Sequence, residues 1–142
     1  DDPIWRAFPV QSDGNLGIPK PFFDSSKEER IPRGGGDGLK VDEQGNVFAT
    51  GPGGVLVLSP QGKLLGRIAT GERIANVGWG NDGSVLYLTS DMTFAEFKLK
   101  QRGLGFKEAE FGVDVGLEDN DVEVLVRVEI DTDSAECLQA RD

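Results

Sequence analysis

The feature that most narrows the fold of this chain is a repeat. The segment LKVDEQGNVFAT (39–50) lies over VGWGNDGSVLYLT (77–89) with Gly45 opposite Gly83, an offset of 38 residues. A second echo sets VQSDGNLG (10–17) against LSPQGKLLG (58–66), with Gly14 opposite Gly62 at an offset of 48. Each unit is a short apolar run, a turn containing glycine and another short apolar run, and almost no stretch has the helical period over ten or so residues. The turns SDGN (12–15), EQGN (43–46), PQGK (60–63) and NDGS (81–84) all set a glycine where a tight hairpin needs a positive φ. Strands are expected at 4–10, 39–42, 47–50, 55–59, 63–69, 76–79, 85–89 and 94–100.

Repeats of 38 to 48 residues, each holding about four short antiparallel strands, mark the blades of a β-propeller, because one such sheet cannot bury both faces without neighbours. The sequence supplies the outer two strands of one blade, a full blade over 39–69 and a third from 76 to about 106. The expected fold is therefore all-β, a partial propeller of about half a ring, where closed rings have about four to eight blades. Its open faces need cover from another chain, from the tail or from sequence upstream.

Charge separates a body from a tail. Residues 1–106 carry a net charge of −1, and residues 107–142 carry −9 of the total −10. The expected division is a propeller body, 1–106, and an acidic extension, 107–142, with one strand over 122–130, where valine and isoleucine alternate with other residues. That strand is suited to pair with an open sheet edge. The acidic balance excludes nucleic acid as the expected partner, since phosphate contacts need clustered Lys and Arg. No apolar run approaches the roughly 20 residues of a membrane span. The opening Asp1, with neither Met nor an apolar leader, implies an incomplete N-terminus, and one cysteine, Cys137, suits a reducing compartment. A soluble cytoplasmic protein is expected.

The chain has no histidine, which removes Ser-His-Asp and Cys-His nucleophiles and imidazole metal sites, leaving carboxylates, amides and carbonyls for any metal chemistry. GWGNDG (78–83) fits the spacing of a dinucleotide-binding loop but leads into a strand, so no helix N-terminus follows to hold a phosphate. Glu118, Asp119, Asp121 and Glu123 lack the spacing of a calcium loop and read as solvated acids. Trp5, Trp79, Phe22, Phe23, Phe48, Phe94 and Phe97 read as packing aromatics. Asp37 stands apart, set among Gly34, Gly35, Gly36 and Gly38 just before a strand. Two readings stay open from the residues alone. Asp37 caps its own loop in an Asx turn, or it presents a carboxylate at the mouth of the propeller channel, where glycines let a ligand approach.

The run DGLKVDEQGNVFATGPGGVLVLSPQGKLLGRIATGERIANVGWGNDGSVLYLT (37–89) resembles the C-terminal half of the SMP-30/gluconolactonase/regucalcin family, and IWRAFPVQSDGNLG (4–17) with FFD (22–24) resembles the blade before it. The resemblance covers about residues 1–106. It implies a six-bladed propeller that hydrolyses sugar lactones and related small esters with one divalent ion, Ca²⁺ first and Mn²⁺, Mg²⁺ or Zn²⁺ as alternatives. It also implies that Asp37 is a metal ligand and a candidate base, with Gly36 standing where the family has proline. The family's other ligands, a Glu and an Asn or Asp, belong to blades upstream of this sequence. The resemblance thus implies that hydrolysis needs the remaining blades, a complementing chain or a second copy in a homodimer. The rival expectations are a non-catalytic dimeric interaction module and a truncated, inactive gene product.

Overall fold

A computed structural model describes residues 3–28 and 35–106 throughout, and the backbone of 126–129. Cys137 and the acids Glu118, Asp119, Asp121 and Glu123 lie outside the described residues. Among the described residues ten strands form three sheets: β1 (Ile4–Ala7) with β2 (Lys20–Asp24); β3 (Leu39–Val41), β4 (Val47–Gly51), β5 (Gly54–Leu58) and β6 (Leu64–Ile68) in that order; and β7 (Ile74–Gly80), β8 (Val85–Ser90) and β9 (Phe94–Lys98), with β10 (Val126–Glu129) outside β9. Among the described residues the one helical element is a 3-10 turn, Ser25–Lys27, so no helix is long and apolar enough to cross a membrane.

The turns follow their glycines. Gly14, Gly45, Gly62 and Gly83 have φ of 84°, 82°, 79° and 90°, the left-handed region in which a side chain meets its own backbone. In each turn a side chain before the glycine holds amides on one or both sides of it. Asp13 accepts from the Asn15 amide, Asp42 from those of Gln44 and Asn46, Ser59 from those of Gln61 and Lys63, and Asp82 from that of Ser84. Asp42 is wholly buried, and its second oxygen takes the Asn46 amide group at 2.8 Å. Both echoes are structural: Gly45 and Gly83 turn the first strand of a sheet into its second, and Gly14 and Gly62 turn β1 into β2 and β5 into β6.

Burial shows how the sheets stack. β5 is buried on both faces, as expected of a sheet with neighbours on each side. Val55 joins Phe48, Ile68, Ile74, Val77, Leu86, Leu88, Ala95 and Phe97 in one core shared by the two larger sheets. Leu56, on the opposite face by alternation, packs against Gly51, and Trp5 of β1 touches that glycine from the same side. Leu56, Leu58, Leu86 and Leu88 are fully buried, each contributing about 2 kcal/mol of apolar transfer. Trp79 ties the two larger sheets together. Its ring meets Phe48 edge-on at 5.1 Å, and its Nε1 donates to the Val41 carbonyl at 3.1 Å. β7 lies against β3 and β4, so the first strands of successive sheets are neighbours, as in consecutive propeller blades.

Three expectations need correction. β2 is a strand absent from the sequence reading. Pro21 lacks an N–H and falls beside the irregular register at Trp5 and Arg6, as suits an edge strand. β1 stops at Ala7, and Val10 instead bridges Leu16 inside the loop. The last sheet is not wholly antiparallel: 94–98 is its third strand, and its fourth comes from the tail, where Val126–Glu129 runs parallel to β9.

Candidate functional site

Asp37 precedes β3, the strand at the edge of its sheet and beside the neighbouring sheet. Three structural facts fix this point of the chain. The hairpin register pairs Leu39 with Ala49, so Gly38 falls opposite Thr50. Thr50 is wholly buried, and its Oγ1 accepts the backbone amides of both Asp37, at 2.9 Å, and Gly38, at 3.0 Å. The Thr50 hydroxyl and amide both donate to the Gly38 carbonyl, at 3.3 and 2.9 Å.

This arrangement decides between the two readings of Asp37 in one respect. The Asx cap is not formed. The amides that such a cap would hold are held by Thr50, and among the described residues the Asp37 carboxylate takes no hydrogen bond and stands exposed. Against it lies a hollow of about 180 Å³ lined by Trp5, Gly36, Asp37, Gly38, Leu39, Ala49 and Thr50. A larger hollow of about 370 Å³ adjoins the other end of β3, between Leu39, Lys40, Val41, Trp79, Leu104 and Phe106, and contains no acid.

Gly38 is required by a close approach. A Cβ there would fall 2.7 Å from Asn76 Cγ and 2.9 Å from Asn76 Cα, so the carboxamide of Asn76, on β7, lies directly over the residue after Asp37. Asn76 Oδ1 accepts the Val77 amide at 2.8 Å, which fixes the side chain's direction. The sequence reading missed Thr50 and Asn76. Thr50 faces Gly38 because the hairpin closes at Asp42 and Asn46, one residue wider than the 43–46 turn that the sequence suggests. Asn76 arrives from another sheet.

An exposed carboxylate whose oxygens take no hydrogen bond among the described residues fits one ligand position of a hard cation, whose ligands are oxygens. Among the described residues no group of three or more His, Cys, Asp or Glu converges. The aromatics are placed as packing groups: Trp5 meets Phe23 edge-on at 5.5 Å, and Tyr87 stacks on Phe94 at 5.4 Å. Gly78 and Gly80 lie in β7 with strand β8 following, so the dinucleotide spacing has no helix to serve.

Comparison with known proteins identifies the family and the fold. Residues 2–92 match the model of the SMP-30/gluconolactonase/LRE-like region. A gluconolactonase of Zymomonas mobilis is 33% identical over 69 residues, which are 47% of this chain and 19% of that protein. A structural-genomics structure assigned as a gluconolactonase superposes with a TM-score of 0.61 at 30% identity, over 72% of this chain and 34% of the other. A gluconolactonase of Xanthomonas campestris gives 0.50 at 29% identity, over 60% of this chain and 26% of its own. A luciferin-regenerating enzyme, 22% identical with a TM-score of 0.55 over 63% of this chain and 31% of its own, shares the fold. The chain thus spans about a third or less of the relatives it matches, and its three sheets are part of a β-propeller. It belongs to the SMP-30/gluconolactonase/LRE-like family.

Proposed function

We propose that this chain carries part of the active site of a metal-dependent hydrolase of the gluconolactonase type, which opens sugar lactones or related small esters. The observation that carries the reading is the carboxylate of Asp37, exposed and without a hydrogen bond among the described residues while its backbone is pinned by Thr50, at the entry to β3 in a family whose relatives include gluconolactonases. Asp37 has two oxygens, one for the cation and one able to take a proton from the attacking water. When bound, the cation polarises the carbonyl and makes that water more acidic. Ca²⁺ is the first choice for an oxygen site, with Mn²⁺, Mg²⁺ and Zn²⁺ as alternatives. The hollow between Trp5 and Leu39 gives a small substrate an apolar wall beside the acid.

The remaining ligands come from outside the described residues, so turnover belongs to a completed ring, whether further sequence of the same protein, a complementing chain or a second copy closes it. Acid release from glucono-lactone, followed at constant pH after chelation and after return of each cation, tests this on fractions of defined mass. Hydrolysis is expected in assembled fractions, is lost on chelation and falls about a hundredfold or more in Asp37→Asn. Full turnover by a proven monomer, turnover that survives Asp37→Asn, or no lactone opening in any assembly contradicts it.

A run of exposed apolar residues, Phe8, Val10, Leu16 and Ile18, at 47–84% exposure, favours a second reading, a non-catalytic module that dimerises. That reading requires a compact dimer indifferent to Asp37→Asn.

A further inference from the structure

We infer that Thr50 is the positioning residue of the Asp37 carboxylate, an inference that rests on reading Asp37 as a cation ligand. The side-chain caps of the other turns are local: Asp13, Asp42, Ser59 and Asp82 bond amides two to four residues away. The partners of Thr50 lie 12 and 13 residues back, across the sheet from β4 to the segment before β3.

That segment needs an outside anchor. Gly36 and Gly38 flank Asp37, and glycine backbone is the costliest to order. Among the described residues no carboxylate caps the loop, and two amides on one buried hydroxyl fix the α-carbon from which the acid projects. The β3–β4 ladder holds the chain only from Leu39 onward, with the Thr50 amide bonding one residue earlier, to Gly38. Without the hydroxyl, Asp37 N–H and Gly38 N–H lose their acceptor, and the carboxylate is free to move away from the direction that other ligands require. Thr50 is no ligand of the cation in this scheme. It acts through Asp37.

The test uses the full chain, ¹⁵N-labelled, with Mn²⁺ alone as probe. Two quantities are read: broadening of the Asp37 and Gly38 amide signals by sub-stoichiometric Mn²⁺, and hydrogen exchange at those two amides. Wild type is expected to show broadening centred on Asp37 and slow exchange at both amides. Thr50→Val is expected to weaken the Mn²⁺ affinity about tenfold or more, as loss of a group that orients a ligand does, and to free both amides. Thr50→Ser keeps the hydroxyl and restores both. If Asp37→Asn, or wild type itself, shows no Asp37-centred effect that distinguishes the two, the ligand reading fails. If Asp37→Asn abolishes the broadening while Thr50→Val binds as wild type does, the positioning role alone is overturned. Fast exchange at both amides in wild type overturns it without any variant, so a Thr50→Val chain that fails to fold leaves the inference testable.

Discussion

Gly38→Ala is the sharpest probe of how two sheets meet at the site. The new methyl would lie 2.7 Å from Asn76 Cγ and 2.9 Å from Asn76 Cα, both closer than carbon atoms ordinarily approach. The carboxamide can swing away, at the loss of its 2.8 Å bond from the Val77 amide. The α-carbon belongs to β7 and moves only with the strand. Overpacking of this kind costs about 1–3 kcal/mol, and the lost hydrogen bond adds about 1, so the expected loss is roughly 2–4 kcal/mol. In an Asn76→Ala background the carboxamide is already gone while the clash with the backbone of β7 remains, which leaves about 1–2 kcal/mol for the same substitution. The coupling between positions 38 and 76 is therefore about 1–2 kcal/mol. Urea unfolding of the four proteins measures it. Equal costs of Gly38→Ala in the two backgrounds, or no cost in either, would refute the packing of Asn76 over Gly38.

Trp79→Phe keeps the edge-on packing with Phe48 but removes the indole N–H from the Val41 carbonyl, which the Leu104 amide also bonds at 2.9 Å. Because that oxygen stays partnered, a loss of about 0.5–1.5 kcal/mol is expected, against about 3–5 for Trp79→Ala, both read by denaturation. Asp82 titrates well below the ordinary carboxylate value of 3.8, held there by the Ser84 hydroxyl first and then by Arg102, 2.6 Å away. A lowered folded pKa means that its contribution to stability is present above the unfolded value and lost as pH falls through the folded one. The stability difference between wild type and Asp82→Asn is thus expected at neutral pH and to vanish in strong acid. Added salt should shrink it at neutral pH, since the pair is exposed.

What was legible in the sequence was what short-range chemistry decides. The glycines at 14, 45, 62 and 83 announced their turns, because few other residues accept their φ. The repeat then followed, and with it the stacking of sheets. β2 escaped because a proline-bearing edge strand alternates weakly. The parallel course of Val126–Glu129 escaped because alternation tells which face a residue takes and nothing of strand direction. At the site, Asp37 was visible as an acid among glycines, but whether it caps its own loop turned on who holds its amides. Thr50 holds them by strand register, and Asn76 comes over Gly38 by sheet stacking, which no local pattern encodes.

Crystals grown with Mn²⁺ and measured at its absorption edge put the matter to the chain itself. An anomalous peak about 2–2.6 Å from an Asp37 carboxylate oxygen, the distance of a direct oxygen ligand, is the expected result. A map with no peak at Asp37, with its carboxylate turned back onto the amides now held by Thr50, would contradict the assignment of this residue as the cation's ligand.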